Sequence, residues 1–407
     1  MRKYFSFLLA VLFLIIPLGG CSVAIEEDVW DGSVADSFAC GNGTEKDPFV
    51  IEKASQLAFL AQEVGRGTTY AGQYFVLEKD IDLNGIEWTP IGTEKSPFKG
   101  NFNGKNHWLR NVKLTKADEY TAVYSHGSFN QGRMGLFGSC ENVEICNIKI
   151  ENASLSLQDV ETYDQFYAGA LVGFLTATTN CRLSNVKLSN TTVSCVREDL
   201  SKEAAVANSM WIGGVIGYAD IKSSASFTME KIQSQADISF AESNTSNNNI
   251  GGIVGTVGNR GLFSGSDFAS YLNVEWPLEI RSSHVGAFNI SNDPETAVKL
   301  SNGFSEVKVN SSLVELPGYY IHKANAMIGI AYQGKRVSDS KEAQFDFHNL
   351  FGYVKPAGEK TVFSLYEMPE HCDFEETNCK GCETLLENHG FDNKIWDLND
   401  LSRPTLR

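Results

Sequence analysis

The C-terminal region carries side chains that could bind a metal ion. His371 and Cys372 are followed by Cys379 and Cys382, and His389 lies nearby. Cysteines separated by two residues, together with histidine, suit the tetrahedral coordination of zinc. In an exported protein the same cysteines more often form disulfides or stay as thiols. We therefore expect no bound metal and no cofactor, and these residues are only weak candidates for a zinc site.

Two carboxylates form a second candidate site, here for catalysis. Asp80 and Asp82, in the stretch KDIDL, would lie on one face of a strand because strand side chains alternate. Polysaccharide-cleaving sites combine clustered carboxylates, or calcium held by carboxylates, with a basic residue. No Lys, Arg or His accompanies this pair in a recognisable pattern. The sequence therefore favours a protein that is not an enzyme, with a polysaccharide lyase or hydrolase as the alternative.

Cys21 has the sequence context of a lipid attachment site. A basic start at Arg2 and Lys3 precedes an apolar run over residues 5–16, which suits a signal peptide and is short for a membrane span. The stretch LGGC, which ends at Cys21, resembles a bacterial lipobox. This resemblance implies cleavage before Cys21 and acylation of that residue. We expect residues 1–20 to be a lipoprotein signal peptide.

The remaining chain is acidic and has no later apolar run of membrane length. Without Arg2 and Lys3, 32 Lys and Arg stand against 50 Asp and Glu, which gives a net charge of −18. Such a body repels phosphate backbones, so we expect no nucleic-acid partner. We expect residues 21–40 to be a tether that leads from an acyl anchor in the outer-membrane lipid. The acidic residues 26–28 resemble the export tag of surface lipoproteins, which implies exposure at the cell surface.

The sequence contains three six-residue stretches that are nearly identical, and the fold must account for their regular spacing. They read LRNVKL, ICNIKI and LSNVKL, and their asparagines are Asn111, Asn147 and Asn185, at intervals of 36 and 38 residues. Similarity at a fixed period indicates stacked structural units. Asn tolerates the left-handed backbone of a tight corner, and its amide can bond to the Asn of the next unit. We predict that these three residues form one corner ladder.

A second repeated stretch places glycines around two or three apolar residues. It occurs at 135–138, 169–173, 213–217 and 251–255, at intervals of 34, 44 and 38 residues. Both repeats are short, rich in β-branched residues and without helical spacing, which is typical of strands. Short strands repeated in one direction predict a coil of parallel strands about 4.8 Å apart. We expect the glycines to form further corners through the left-handed backbone that glycine adopts freely.

The N-terminal third of the chain resembles a known family. The stretches DPFVIEKASQLAFLAQEV, YFVLEKDIDLNGIEWTPIG, PFKGNFNGKNHWLRNVKL and GLFG are similar to those of GLUG-motif surface proteins of gut and oral bacteria. This resemblance implies a right-handed parallel β-helix and roles in adhesion or surface display. GLUG repeats also accompany IgA-cleaving metallopeptidases, but their zinc motif, HExxH, does not occur in this sequence.

The expected fold is therefore all-β, a right-handed parallel β-helix (β-solenoid) with both ends covered. Residues 54–64 carry apolar side chains at helical spacing, which predicts a short N-terminal capping helix. We expect the β-solenoid over residues 41–344, with the repeats clearest at 80–260. Residues 345–407 are expected to form an irregular C-terminal cap that contains the cysteine cluster.

Eight cysteines follow Cys21, and sequence alone cannot choose among their 105 possible pairings. The candidates for pairing within or between neighbouring coils are Cys140 with Cys146 and Cys181 with Cys195.

The polar insertions between the repeats provide the expected binding surface. They cover about 115–133, 154–165, 196–209 and 241–249. Because each occurs at the same position within its repeat, they should emerge along one edge of the stack. Exposed aromatic side chains there could stack on sugars or contact a protein. The candidates are Tyr120, Tyr124, Phe129, Tyr163, Phe166, Tyr167 and Trp211. The alternative is that these rings fold back and pad the loops.

These expectations describe a lipid-anchored surface protein that binds a glycan or a host surface protein through one edge. A structural component of the cell surface without a soluble ligand is a further alternative. Carboxylates and a basic residue that converge in a groove would favour an enzyme, whereas a flat edge rich in aromatic residues would favour binding.

Overall fold

The computed structural model describes residues 28–124, 127–157, 163–196, 209–241, 247–258, 260–276, 282–290 and 297–311, together with six strands between 321 and 406. These residues form an all-β protein with one helix, as predicted. Their strands belong to a sixteen-stranded sheet, an eleven-stranded sheet and a two-stranded sheet.

The described residues contain twenty-nine strands. The first ten are β1 (Asp28–Val29), β2 (Phe49–Ile51), β3 (Tyr74–Leu77), β4 (Ile81–Asp82), β5 (Asn101–Asn103), β6 (Trp108–Arg110), β7 (Lys113–Leu114), β8 (Asp118–Tyr124), β9 (Gly127–Met134) and β10 (Phe137–Glu141). The next ten are β11 (Glu144–Glu151), β12 (Ser154–Leu157), β13 (Gln165–Gly169), β14 (Val172–Ala177), β15 (Asn180–Ser189), β16 (Thr191–Val196), β17 (Ser209–Gly213), β18 (Ile216–Ile221), β19 (Ser226–Ala241) and β20 (Asn247–Gly258). The last nine are β21 (Leu262–Trp276), β22 (Ser282–Ile290), β23 (Ala297–Ser311), β24 (Ile321–Ala324), β25 (Ile328–Ala331), β26 (Gln344–Pro356), β27 (Phe374–Glu376), β28 (Trp396–Asp397) and β29 (Thr405–Leu406).

The helix α1 spans Ala54–Gly65 and buries the apolar face that its sequence spacing predicts. Gln56 Oε1 accepts the N–H of Lys53 at 3.1 Å, and Asp28 Oδ2 accepts the N–H of Ala54 at 2.6 Å. Both bonds satisfy N–H groups that a helix N-terminus leaves unpaired, and the carboxylate also suits the positive end of the helix dipole. Because Asp28 also begins β1, the fold starts before the predicted boundary at residue 41.

Strands of successive repeats pair in parallel and in register. In the sixteen-stranded sheet β11, β15, β19, β21, β23 and β26 are neighbours in the same order as along the chain. Ile148 pairs with Val186, Val186 with Ile232, and Ile232 with Phe268. All four side chains are buried in the core. Each repeat therefore lies directly on the previous one, about one strand spacing of 4.8 Å away.

The stacking continues beyond residue 260, where the sequence pattern loses its period. β21, β23 and β26 pair in parallel with their neighbours, and the predicted boundary between residues 344 and 345 falls inside β26. The corner of each repeat is kept by Lys231, Asp267 and Asn302, whose φ angles are 54°, 53° and 53°. The corner is thus conserved in geometry although the repeated Asn stretch has disappeared.

Asn147 and Asn185 form the corner ladder that the sequence predicts. Asn185 Nδ2 donates to Asn147 Oδ1 at 2.8 Å, and Asn147 Nδ2 donates to Asn103 Oδ1 at 3.1 Å. Both residues have a left-handed backbone, with φ of 54° for Asn147 and 53° for Asn185.

Asn111 does not belong to this ladder, so the prediction of a single file of three asparagines is wrong. Arg110 pairs with Glu151, which places Asn111 beside Asn152 at a different corner. Asn152 Nδ2 donates to Asn111 Oδ1 at 3.3 Å, and Asn111 Nδ2 donates to Asp82 Oδ1 at 2.7 Å. The protein therefore has two ladders, because the same short stretch fits either corner.

The repeated glycines are required by close packing and not by a left-handed backbone. A Cβ on Gly213 would lie 1.8 Å from the carbonyl oxygen of Ile216, and one on Gly251 would lie 1.9 Å from that of Val254. Neither glycine has a φ in the left-handed range. The expectation about their backbone is therefore wrong, while their place at sharp bends is confirmed.

The predicted insertions are partly strand. Residues 118–134 contain the antiparallel hairpin of β8 and β9, and β12 stacks in parallel on β16. Residues 158–162, 197–208 and 242–246 lie outside the described residues. Because β12 pairs with β16 and β13 with β17, the connections between these strands leave and return at equivalent positions of the stack.

Candidate functional site

The outer faces of two strand stacks meet in a concave surface. One stack contains β9, β13 and β17, and the other contains β10, β14 and β18. Phe166 and Ala168 are buried in the core, so Tyr167 between them points outward. The ring of Tyr167 contacts that of Phe174 beyond the glycine bend, with 4.9 Å between the ring centroids. At the glycine bend the two strands turn their outer faces toward each other. Outward side chains on the two sides of the bend therefore come into contact.

Four aromatic rings form the floor of this surface, and we call it the aromatic groove. Tyr167 and Trp211 are paired in register and stack at 4.9 Å with 13° between their ring planes. Phe174 and Tyr218 are also paired in register and stack at 5.3 Å with 15° between the planes. Trp211 meets Tyr218 edge to face at 5.8 Å. Both geometries are favourable for aromatic pairs, and the stacking distances follow the spacing of adjacent strands.

Arg133 closes one end of the aromatic groove. Its guanidinium lies 4.1 Å from the centre of the Phe174 ring and forms an ion pair with Glu94. It also donates to Ser139 Oγ at 2.9 Å and to Gln131 Oε1 at 3.3 Å. Arg133 is only 4% exposed, so these contacts hold the guanidinium in one position. The cation therefore orders the floor of the groove.

Amide and carboxylate groups surround the aromatic rings. Gln165 Oε1 accepts from Gln131 Nε2 at 2.6 Å and from the Tyr167 hydroxyl at 3.1 Å. At the other end, the Asp220 carboxylate pairs with Lys222 Nζ at 2.5 Å. Burial raises the pKa of Tyr218, and the Asp220 charge acts in the same direction. The Tyr218 hydroxyl therefore stays protonated and can donate a hydrogen bond at neutral pH.

The aromatic groove encloses about 590 Å³, which is in the range of small-molecule sites. Its rim includes Pro97, Tyr120, Glu141 and Thr176. A cavity that combines aromatic side chains with hydrogen-bonding groups suits a ligand that has both apolar surface and hydroxyls, such as a sugar.

The structure separates the predicted aromatic residues into two groups. Tyr120, Tyr167 and Trp211 line the groove, but Tyr167 is only 5% exposed and so does not lie on an exposed edge either. Phe166 is 1% exposed and Tyr163 is 7% exposed, which contradicts their expected place on an exposed edge. Strand alternation turns Phe166 inward, where it packs against Tyr163 with 5.9 Å between the ring centroids. Phe129 lies on β9 and does not line the groove, and the Tyr124 side chain lies outside the described residues.

Sequence reasoning missed Phe174 and Tyr218 because they follow the glycine bends and lie outside the insertions. A signal was present, since Tyr167 and Phe174 stand seven residues apart around one glycine bend. Trp211 and Tyr218 stand at the same interval around the next bend. An aromatic pair repeated across a bend thus marks the groove.

Asp80 has basic partners that the sequence did not reveal. His107 Nδ1 lies 2.8 Å and Arg110 Nη1 lies 3.5 Å from the two Asp80 carboxylate oxygens. Burial of the carboxyl favours its neutral form, but hydrogen bonds from the Trp108 N–H and from His107 outweigh this effect and lower the pKa of Asp80. The expectation that no basic residue accompanies Asp80 is therefore wrong, because residues 27 and 30 positions later stack onto it.

The predicted cysteine pairs are not formed. Cys140, Cys146, Cys181 and Cys195 are all free thiols. The strand register explains this, because Cys146 faces Asn103 and Ser184 and no cysteine. In the part of the chain that the structure describes, no three His, Cys, Asp or Glu side chains form a metal-binding group. The predicted lipidation site Cys21 and the weak zinc candidates His371, Cys372, Cys379 and Cys382 lie outside the described residues.

The fold and the site define an all-β protein of stacked parallel strands with an aromatic groove on its outer wall. No protein-family model matches the chain. A provisionally named Gly-rich membrane protein of Evansella cellulosilytica is 27% identical over 193 residues, which are 46% of this chain and 19% of that protein. Halomucin of Haloquadratum walsbyi is 23% identical over 206 residues, which are 47% of this chain and 2% of halomucin. The chain thus spans at most about a fifth of these relatives.

One solved structure covers most of the chain at low similarity. It is a protein from Bacteroides ovatus provisionally assigned as an immunoglobulin A1 protease, with a TM-score of 0.46 and 15% identity over 91% of this chain and 95% of that one. Similarity of this degree transfers no activity. Within the described residues, no helix has the length and the apolarity that crossing a membrane requires.

Proposed function

We propose that the protein is a lipid-anchored bacterial surface protein that binds glycans in the aromatic groove without cleaving them. The observation that carries this proposal is the arrangement of Tyr167, Phe174, Trp211 and Tyr218 as a concave floor with amides and carboxylates around it. A sugar offers an apolar ring face to the aromatic floor and hydroxyls to the polar rim. Adhesion to a glycan-coated surface would follow from this binding.

The proposal extends to the architecture and the location. The in-register parallel pairing supports a right-handed parallel β-helix of the kind found in GLUG-motif proteins. The lipobox at Cys21 supports an acyl anchor in the outer membrane, and the name of the Evansella relative agrees with association with a membrane.

A second candidate function is cleavage of the bound glycan. It is favoured by carboxylates and a cation in the same groove, where Glu94 pairs with Arg133. Nearby, burial raises the pKa of Asp118, although the Glu94 N–H and Arg133 act in the opposite direction. A raised pKa makes a carboxyl better suited to general acid catalysis than an ordinary one. The groove thus contains features expected of a binder and features expected of an enzyme.

Glycan binding is tested with the full chain on a panel of neutral and acidic polysaccharides, followed by titration of each bound glycan. We expect the Trp211→Ala variant to bind its glycan at least about tenfold more weakly, equal to about 1.4 kcal/mol. Phe129→Ala is the matched control, because this aromatic residue is partly exposed and lies outside the groove. Equal affinity of both variants and the original protein would exclude the aromatic groove as the binding site.

Turnover separates the two candidate functions. The protein is incubated with every glycan that it binds, and new reducing ends are measured over time. We expect no release above the background of a Glu94→Gln variant. Release that depends on Glu94 would establish the enzyme and reject the non-catalytic proposal.

A further inference from the structure

Two lysines stack on the outer face of the sixteen-stranded sheet. The strands of the aromatic groove belong to the eleven-stranded sheet. Lys149 on β11 pairs in register with Lys187 on β15. Ile148 and Ile150 are fully buried, so strand alternation turns Lys149 outward. The same pattern of Val186 and Leu188 turns Lys187 outward. The two lysines therefore project side by side from strands about 4.8 Å apart. We call this pair the lysine column.

Identical charges at paired positions destabilise a sheet unless another group neutralises them. Across the corner of Asn147 and Asn185, a column on the same strands alternates its charges, because Arg182 lies between Glu144 at 3.2 Å and Glu230 at 2.9 Å. Among the described residues, no carboxylate forms an ion pair with Lys149 or Lys187. The lysine column thus departs from the charge pairing found beside it.

Two carboxylates in or next to strands of the same sheet, Glu151 and Asp80, are already engaged by other residues. Glu151 Oε2 accepts from Arg110 Nε at 3.0 Å. Asp80 is held by His107 at 2.8 Å and by Arg110 at 3.5 Å. Arg110 contacts both carboxylates, and neither forms an ion pair with the lysine column.

An aromatic ring adjoins the lysine column. Trp108 on β6 pairs in register with Lys149, and its side chain is half-buried. Lys149 Nζ lies 5.5 Å from the centre of the Trp108 ring. Ammonium groups and an aromatic ring side by side can recognise a ligand that has both a negative charge and an apolar face.

We propose that the lysine column and Trp108 form a second binding site, for an acidic polysaccharide. A carboxylate or sulfate group of the polysaccharide lies between the two ammonium groups and removes their mutual repulsion, and an adjacent sugar ring contacts Trp108. A polysaccharide with charges on successive sugars can place them at successive lysines. The net charge of −18 over the mature chain opposes a broad anionic surface such as a membrane or a nucleic acid, whereas a single chain contacts only this column. The proposal is independent of the aromatic groove.

The test is isothermal titration of the full chain with oligogalacturonate, which carries carboxylates, and with a heparin fragment, which carries sulfates. We expect binding of at least one of the two, weakened at least tenfold in the Lys149→Gln/Lys187→Gln variant and weakened by added salt. Lys113→Gln is the matched control, because Lys113 is exposed on the same sheet and pairs with Ser154 instead of a lysine. Its affinity for the acidic ligand should lie within about twofold of that of the original protein, because a single exposed charge contributes little.

Other outcomes overturn the proposal. Unchanged affinity of the double lysine variant for both acidic ligands would remove the site, as would binding of inorganic sulfate alone with the same affinity as the heparin fragment. Lysine-dependent binding of phosphatidylglycerol vesicles or duplex DNA, with neither oligosaccharide bound, would assign the column to another partner. A neutral glycan whose binding depends on Trp211 should bind the lysine variant normally, so failure of the aromatic groove and failure of this site are distinguishable.

The unliganded protein supplies an independent readout. If the two lysines repel each other, the double Gln variant should unfold at a higher temperature than the original protein in low salt, and the difference should shrink as salt is added. No difference at any salt concentration would contradict the repulsion on which the site rests.

Discussion

The side-chain amide of Asn185 donates a 2.8 Å hydrogen bond to the side-chain oxygen of Asn147, one strand away. Both asparagines adopt a left-handed backbone. The residue type therefore serves two purposes at this corner, since it tolerates the backbone and also links neighbouring repeats. The two contributions can be separated by substitution.

We predict that Asn147→Ala destabilises the protein more than Asn147→Gly does. Alanine loses the ladder bonds, at about 0.5–1.5 kcal/mol, and also strains the left-handed backbone by about 1–2 kcal/mol. Glycine loses only the ladder bonds, because its backbone adopts this conformation freely. Urea unfolding of the three proteins measures the difference. Equal loss in both variants would show that backbone strain does not act at this corner.

The inward and outward positions of the repeats could be predicted from sequence, but the corner register could not. Alternation alone places Ile148 and Ile150 in the core, which the structure confirms. The sequence around Asn111, however, fits the corner of Asn147 and the corner of Asn152 equally well. The choice depends on which strands pair. Asn103 pairs with Cys146 and Trp108 with Lys149, so four residues of the earlier repeat stand where the later repeat has two, and Asn111 is shifted to the next corner.

The candidate site was only partly predictable for a similar reason. Tyr167 and Trp211 were found because they lie near polar insertions, whereas Arg133 was not suspected of any role. Arg133 reaches Phe174 through the parallel stack, since it pairs in register with Tyr167. Contacts of this kind join residues about one repeat apart, and a search for local motifs does not detect them.

The glycine bends should tolerate no side chain. We predict that Gly213→Ala lowers stability by more than about 2 kcal/mol or prevents folding, because the new Cβ would lie 1.8 Å from the Ile216 carbonyl oxygen. Gly65→Ala is the control, since nothing lies within 4 Å of a Cβ there and alanine favours helix by up to about 1 kcal/mol. Thermal unfolding of both variants checks this. A Gly213→Ala protein as stable as the control would contradict the close packing at the bend.

Asp118 should make stability depend on pH. Burial raises the pKa of its carboxyl in the folded protein, so the folded state holds this proton more tightly than the unfolded chain does. Ionised Asp118 therefore opposes folding at neutral pH, and this penalty disappears as the pH falls through the folded pKa. We predict that Asp118→Asn is more stable than the original protein at pH 7. The advantage should decline toward pH 4, near the ordinary pKa of aspartate.

Urea unfolding at a series of pH values measures this difference. Asn can still accept the 3.2 Å hydrogen bond from the Glu94 N–H, so the substitution mainly removes the charge. An advantage that stays constant from pH 7 to pH 4 would show that the carboxyl has an ordinary pKa in the fold.

The cysteines should react with alkylating reagents in the order of their exposure. Burial raises the pKa of Cys195 to about 12, and it raises that of Cys181 to about 11 against hydrogen bonds that act the other way. Because the thiolate is the nucleophile, both should resist iodoacetamide in the native protein at pH 7, whereas Cys40, which is exposed, should react first among the cysteines that the structure describes. Peptide mapping by mass spectrometry, before and after unfolding in urea, measures the extent of labelling at each site. Rapid native labelling of Cys195, or a Cys181–Cys195 disulfide in the non-reduced map, would contradict the buried free thiols of these strands.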